Sequence, residues 1–364
     1  MLSRPRPPES PVRNTHGGRL RYNAPTSIES HALNTTAHRR LAASTLATMS
    51  LAACGGGGSD GATPSGPDTA QRTQAATATA VNNASCVAIK PFYWEIGDSA
   101  SPMASASVNS TVSLLTYTAA TVVNIASASK WFYGAYVVER RGAAGLSASD
   151  IKFLNFRSGY TGFTGCSSTQ TVGSCLAAST NGVYTAATDG KFLYDGGHMQ
   201  VHASLMGLDA LDNTTLAAEI EGQLGSDVDI SYSEPQLAGG VRTNADNYAR
   251  YLRKLLGGQL RMGAALGSNP VCTNPLTCNG SALSTPIPTS ESWQYSVGHW
   301  VESDPAVGDG AFSSAGAFGF YPWVDADKRY YGIVARQDFA RTAGVASAYC
   351  GRLLRKAWAT GVAQ

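Results

Sequence analysis

Large apolar side chains enter a regular pattern only well into this chain. Residues 55–85 are Gly, Ser, Thr, Ala and Gln with scarcely a large apolar side chain, a composition that predicts a flexible tether with order beginning near Cys86. Beyond it, Val87-Ala88-Ile89 and Phe92-Tyr93-Trp94-Glu95-Ile96 read as a strand that stops at Gly97-Asp98. Residues 106–125 mix β-branched residues with Ser and Asn, as a strand and a connection would. Residues 130–141 have helical length and apolar periodicity and are stopped by Gly142. Residues 244–257 form a second amphipathic helix, with an Asn or Asp cap and a terminal Gly. Residues 317–325 and 330–335 predict a hairpin turning at Ala326-Asp327-Lys328, and a last helix spans roughly 342–358. No internal repeat is visible. The order strand, helical middle, strand pair, helix predicts one α/β (α+β) domain over residues 86–364. Its sheet is mixed, largely antiparallel, built from both chain ends and flanked by helices with a helical subdomain.

Ahead of the tether, the basic patch His38-Arg39-Arg40 precedes an apolar stretch from Leu41 that ends in Leu51-Ala52-Ala53-Cys54. Basic, apolar and small-residue regions in that order read as a secretory signal, too short to span a bilayer as a helix. Leu-Ala-Ala-Cys resembles a bacterial lipobox, which implies cleavage before Cys54 and lipidation of its sulfur. Residues 1–54 are thus expected to be an N-terminal extension and lipoprotein signal, and the product to be lipid-anchored in a bacterial cell envelope, on the periplasmic side or in the outer membrane.

Seven cysteines occur, and six remain once Cys54 is set aside. An even number in an oxidising compartment predicts disulfides. Spacing favours Cys166 with Cys175 and Cys272 with Cys278, each closing a short polar loop, which leaves Cys86 with Cys350 near the two ends of the folded part. Lys plus Arg total 27 against 25 Asp plus Glu. That balance gives no electrostatic case for nucleic acid, and no nucleic-acid motif is present. The six histidines are scattered, with no His-Glu-x-x-His or Cys-x-x-Cys, so neither metal nor cofactor is implied. A Gly-x-Ser-x-Gly elbow and a phosphate-cradling loop are also missing.

The chemistry-bearing pattern is Ser127-Ala128-Ser129-Lys130, a Ser-x-x-Lys where the first strong helix begins. A serine at a helix start and a lysine one turn later share a face. A desolvated lysine there can shed its charge and accept the serine proton. A second copy, Ser149-Asp150-Ile151-Lys152, follows a loop, and Ser149 reads as an N-cap or turn residue.

Ser127 through Phe132 resembles the nucleophile helix of serine β-lactamases, DD-peptidases and family VIII-type esterases. Residues 151–160, residues 235–246 and the Tyr295-to-Trp300 segment resemble three further segments of that superfamily, in the same order, so the resemblance runs from about residue 87 to 358. It implies Ser127 as nucleophile, Lys130 as base, and the β-lactamase/transpeptidase-like fold. It also implies Tyr194 as proton relay, from Tyr194-Asp195-Gly196 in the place of the family's Tyr-x-Asn, with Gly196 where the Asn stands. Ser314-Ala315-Gly316 falls where the family has a Lys- or His-led substrate strand, and the Ala317 amide would join that of Ser127 in an oxyanion hole. This stretch holds no Lys or Arg, so an ester or amide substrate is favoured over a β-lactam. Two other readings stand beside this one. A surface lipoprotein could keep the fold for binding alone. Alternatively, Gly97-Asp98-Ser99 with Asp195-x-x-His198 resembles an SGNH-type esterase using Ser99.

Overall fold

The computed structural model describes residues 66–364. The signal over residues 1–54, Cys54 and residues 55–65 lie outside the described residues. The first ordered element is helix α1 (Thr69–Asn82), opened by an Asp68–Gln71 capping box, so the expected tether is corrected from residue 69 onward. Its buried face is small, Ala75, Ala76, Thr79 and Ala80, and small residues let it approach another helix closely. That partner is the C-terminal helix, where Arg72 Nη1 donates to the Trp358 carbonyl at 2.6 Å. A short helix α2 (Ala84–Val87) follows, so residues 87–89 are not strand; β1 is Phe92–Gly97 and β2 Pro102–Val108.

The helical middle begins after β3 (Val123–Asn124) with a 3₁₀ turn, Ala126–Ala128, that runs into α3 (Ser129–Arg141). Next come α4 (Ala148–Leu154), α5 (Val172–Leu176), β4 (Phe192–Leu193), α6 (Gly197–Leu205), α7 (Asn213–Leu224), β5 (Ser231–Tyr232), β6 (Val241–Thr243), α8 (Ala245–Leu256) and α9 (Met262–Ala265). The chain returns to the sheet through β7 (Val271–Cys272), β8 (Ala282–Ser284), β9 (Gln294–Ser296), β10 (His299–Val301), β11 (Phe312–Ser313), β12 (Tyr321–Val324) and β13 (Tyr331–Ala335), and closes with α10 (Ala343–Thr360).

Eight strands form the main sheet in the order β2-β1-β13-β12-β11-β10-β9-β7, with every neighbouring pair antiparallel. The first and last strands are therefore neighbours, second and third from one edge of the sheet. The fold is a mixed α/β arrangement with a large antiparallel sheet and ten helices among the described residues. Helix α3 is apolar on nearly every side, with residues 129–138 all buried, as a helix enclosed between a sheet and other helices must be. It crosses the β9–β10 turn at very short range. A Cβ on Gly134 would lie 2.7 Å from the Val297 carbonyl, and one on Gly298, whose φ is +79°, 2.7 Å from that of Lys130. Disulfides join Cys86 to Cys350, Cys166 to Cys175 and Cys272 to Cys278. Cys86 belongs to α2 rather than to the first strand.

Candidate active site

Ser127 lies in the 3₁₀ turn that leads into α3, and its side chain does not cap the helix. The turn is held in an unusual shape. Ala126 has φ +44°, a conformation costly to a residue with a side chain. Ser129 holds it there, its Oγ donating to the Ala126 carbonyl at 2.6 Å and accepting from the Val241 amide at 3.2 Å. Ser127 is thereby half-buried and open on one side. Ser149, in the second Ser-x-x-Lys, is not a cap: Ser147 caps α4 in a box with Asp150, and Lys152 pairs with Asp189.

One helical turn on, Lys130 Nζ lies 2.9 Å from Ser127 Oγ and donates to the Ala238 carbonyl at 2.6 Å. The side chain is buried, and desolvation lowers its pKa from 10.5 to about 7, with Asp195 opposing. Around it stand the rings of Tyr194 and Phe156, with the ammonium 4.8 Å from the Tyr194 centroid. Tyr194 is stacked on Trp300 at 5.4 Å, and its hydroxyl meets Ser127 and Trp300. Burial raises its pKa well above the usual phenol value. At neutral pH it is a proton-bearing hydroxyl, able to donate, and Lys130 is the group able to accept.

Gly196 has a local explanation. A Cβ there would lie 2.8 Å from Phe163 Cδ1, so the Phe163 ring fills the space a side chain would need. Asp195 Oδ1 fastens this turn by accepting from the Gly197 amide at 2.7 Å and from the Phe163 amide at 3.3 Å. His198 sits behind it. Its Nδ1 is 2.6 Å from Ser158 Oγ and its Nε2 3.0 Å from the Leu193 carbonyl, and burial lowers its pKa to about 4. With both ring nitrogens so engaged, His198 has no hydrogen bond to Ser99, and the Asp98 carboxylate is spent on the Ala100 and Ser101 amides. The SGNH-type arrangement is not assembled.

On the sheet side, residues 314–320 form the turn from β11 to β12 rather than one continuous strand, with the Gly316 amide donating to the Phe320 carbonyl at 2.8 Å. Ser314 Oγ donates to the Ser127 carbonyl at 3.1 Å, so this hydroxyl ties the turn to the Ser127 backbone. Gly316 is required by packing: a Cβ would come within 2.1 Å of the Ile125 carbonyl. Among the described residues, neither the Ser127 nor the Ala317 amide donates to a protein acceptor. Ser127, Tyr194, Trp300 and residues 315–317 line one pocket of about 150 Å³, completed by Pro286, Ile287, Arg341, Gly344 and Val345. The last five are not indicated by any motif. They come from the loop after β8 and from the start of α10, and only tertiary packing brings them in. No cluster of three or more His, Cys, Asp or Glu is placed to hold a metal among the described residues.

No protein-family model matches the chain, and comparison with curated proteins finds no match. Solved structures do match in fold. The D-amino acid amidase of Ochrobactrum anthropi SV3 is 10% identical, covering 79% of this chain and 98% of that one, with a TM-score of 0.59. A D-stereospecific amidohydrolase from Streptomyces sp. is 12% identical, covering 78% and 99%, at 0.53. The octameric penicillin-binding protein homologue of Pyrococcus abyssi is 12% identical, covering 75% and 74%, also at 0.53. The likeness is one of fold, shared with these amidase, amidohydrolase and penicillin-binding-protein-like structures.

Proposed function

We propose that this protein is an exported serine hydrolase that cleaves an ester or amide bond through an acyl-enzyme on Ser127. The observation that carries the reading is the Lys130 amine, 2.9 Å from Ser127 Oγ and depressed to about 7 by burial. In its neutral form Nζ accepts the Ser127 proton while the Ala238 carbonyl holds one of its N–H bonds. Oγ bonds to the substrate carbonyl carbon, and the charge developing on the carbonyl oxygen is met by the Ser127 and Ala317 amides. As the bond to the leaving group breaks, the proton passes from Lys130 through the Tyr194 hydroxyl to the departing oxygen or nitrogen. Water then attacks the acyl carbonyl carbon and gives a proton to Lys130, and as the carbon–Oγ bond breaks Lys130 passes that proton to Ser127 Oγ, which releases the acid and restores the serine. Gly196 and Phe163 leave no side-chain amide beside Tyr194 to orient a substrate carbonyl, which supports simple acyl substrates over β-lactams. Export, and a lipid on Cys54, are supported by the Leu-Ala-Ala-Cys run and by three disulfide pairs.

A fluorophosphonate probe tests the reading. It should label Ser127 alone, and Lys130→Ala should slow labelling by about two to four orders of magnitude. Tyr194→Phe should slow turnover of a p-nitrophenyl ester. Labelling that persists in Ser127→Ala would overturn the assignment. A folded protein in which no serine reacts would instead be a binding protein on the same scaffold.

A further inference from the structure

Resting on the reading of Ser127 as an acylated nucleophile, we propose that the exposed apolar loop between β2 and β3 seats neutral esters presented in bulk, as droplets or other aggregates, at the mouth of the Ser127 pocket. From Ser99 to Ser129 the chain carries no charged residue. Within that stretch Val112 is 94% exposed and Leu114 wholly so, with Leu115 and Val122 half exposed. Single exposed apolar side chains are ordinary, but four within residues 112–122 of an uncharged loop mark a surface that meets something. The loop presents them on its own hydroxyls: the Val112 amide donates to Ser110 Oγ and the Leu115 amide to Ser113 Oγ, each at 3.2 Å.

The loop is fastened beside the site. The buried Tyr117 donates its hydroxyl to the Gln337 carbonyl at 2.8 Å, and the Asn124 amide donates to Gln337 Oε1 at 2.9 Å. Next along the chain, the Asp338 amide donates to the Phe318 carbonyl at 2.9 Å. Phe339, 69% exposed, meets Phe318 edge-on with ring centroids 4.9 Å apart. Phe318 follows Ala317, which lines the Ser127 pocket. Leu114 stands three residues from Tyr117, within about 10 Å of backbone. Loop, Phe318–Phe339 pair and pocket mouth therefore lie together. What they fit follows from their chemistry. An anionic lipid surface calls for a cluster of Lys and Arg, whereas Arg341 is the one charged residue of the pocket lining. Alkyl groups and hydroxyls instead suit a neutral, apolar phase. A dissolved ester small enough for a pocket of about 150 Å³ needs none of this outer surface. A substrate that extends beyond the pocket does, and continuity with the ester-cleaving site makes the bound phase the substrate itself.

Tributyrin droplets test this, with every protein carrying Cys54→Ser so that no lipid on residue 54 contributes to adsorption. With Ser127→Ala added to prevent hydrolysis, the full chain should separate with the droplets on centrifugation. Val112→Ser combined with Leu114→Ser should weaken that adsorption by about tenfold or more, and Phe339→Ser should weaken it too. Val362→Ser removes a similarly exposed side chain beyond the opposite end of α10 and should change nothing. With Ser127 intact, the rate should climb as tributyrin passes its solubility limit. The Val112–Leu114 double variant should lose that climb while hydrolysing dissolved p-nitrophenyl acetate as before. A parent chain that stays in the water, or a double variant that adsorbs as tightly as its parent, would overturn the inference, and fluorophosphonate labelling of Ser127 would then leave the hydrolase reading standing. Adsorption through Val112 and Leu114 in a protein whose serines do not react would overturn the hydrolase reading, and with it the assignment of the bound ester as substrate.

Discussion

A lysine that takes a proton from serine needs a neutral fraction at the working pH, and the surroundings of Lys130 lower its pKa from 10.5 to about 7. Burial among Phe156 and Tyr194 removes the water that would stabilise the ammonium, and only Asp195 pulls the other way. The sign of the pH dependence follows. Below about 7 the amine holds its proton and has no lone pair to offer Ser127. The rate of Ser127 labelling and kcat/KM should therefore rise about tenfold per unit at low pH and level off above a midpoint near 7. Tyr194 stays protonated throughout, because burial raises its pKa. A midpoint near the ordinary lysine value would show that Lys130 is not desolvated in solution. The pair itself is legible in the sequence because it is local: two residues one helical turn apart must share a face. Arg341 is not legible, since no spacing relates it to Ser127, and its place in the pocket depends on how α10 packs beside the β11–β12 turn.

Among the elements, α3 carries the site, and its position is set by contact with the sheet rather than by its own sequence. Its length and its stop at Gly142 follow from periodicity and from the absence of a side chain at the C-cap. Its start does not, because the 3₁₀ turn depends on Ala126 at φ +44° and on a bond from Ser129 to distant β6. Helix α1 escaped composition for a related reason. Ala and Thr form too small a face to register as a core, yet a small face is what packs closely on α10. The Gly134–Gly298 crossing offers a test of how tightly α3 is held. Alanine favours a helix over glycine by about 1 kcal/mol, but a methyl here would meet backbone at 2.7 Å, and overpacking of that kind costs about 1–3 kcal/mol. Gly134→Ala should lower the urea midpoint at unchanged slope and reduce Ser127 labelling, since Lys130 rides on the same helix. A stabilised variant would mean that the crossing has slack.

For the molecule as a whole, the two ends of the described chain are clasped together, and the site lies at one end of the clasp. Helix α1 lies along α10, Arg72 holds the carbonyls of Trp358 and Ala359, and the Cys86–Cys350 bond joins α2 to the middle of α10. The opposite, N-terminal end of α10 forms a wall of the Ser127 pocket. The pairing of these two cysteines could be read from the chain because the other four close short loops. The physical weights of the bonds differ for the same reason. Cys86–Cys350 spans 264 residues, against 9 and 6 for the others. By loop-closure entropy the long-range bond restricts the unfolded chain by about 3 kcal/mol more than either short one. Both of its cysteines are fully buried. The double variant Cys86→Ala, Cys350→Ala should therefore lower the thermal midpoint by several degrees. Removing Cys166–Cys175 or Cys272–Cys278 in the same way should lower it less. Because α10 carries both the bond and the pocket wall, Ser127 labelling in the first variant should be lost at a correspondingly lower temperature. Thermal unfolding and labelling measured in parallel on the three double variants under non-reducing conditions would check this. An equal or larger loss from either short loop would mean that the ends are held by α1–α10 packing and not by the covalent bond.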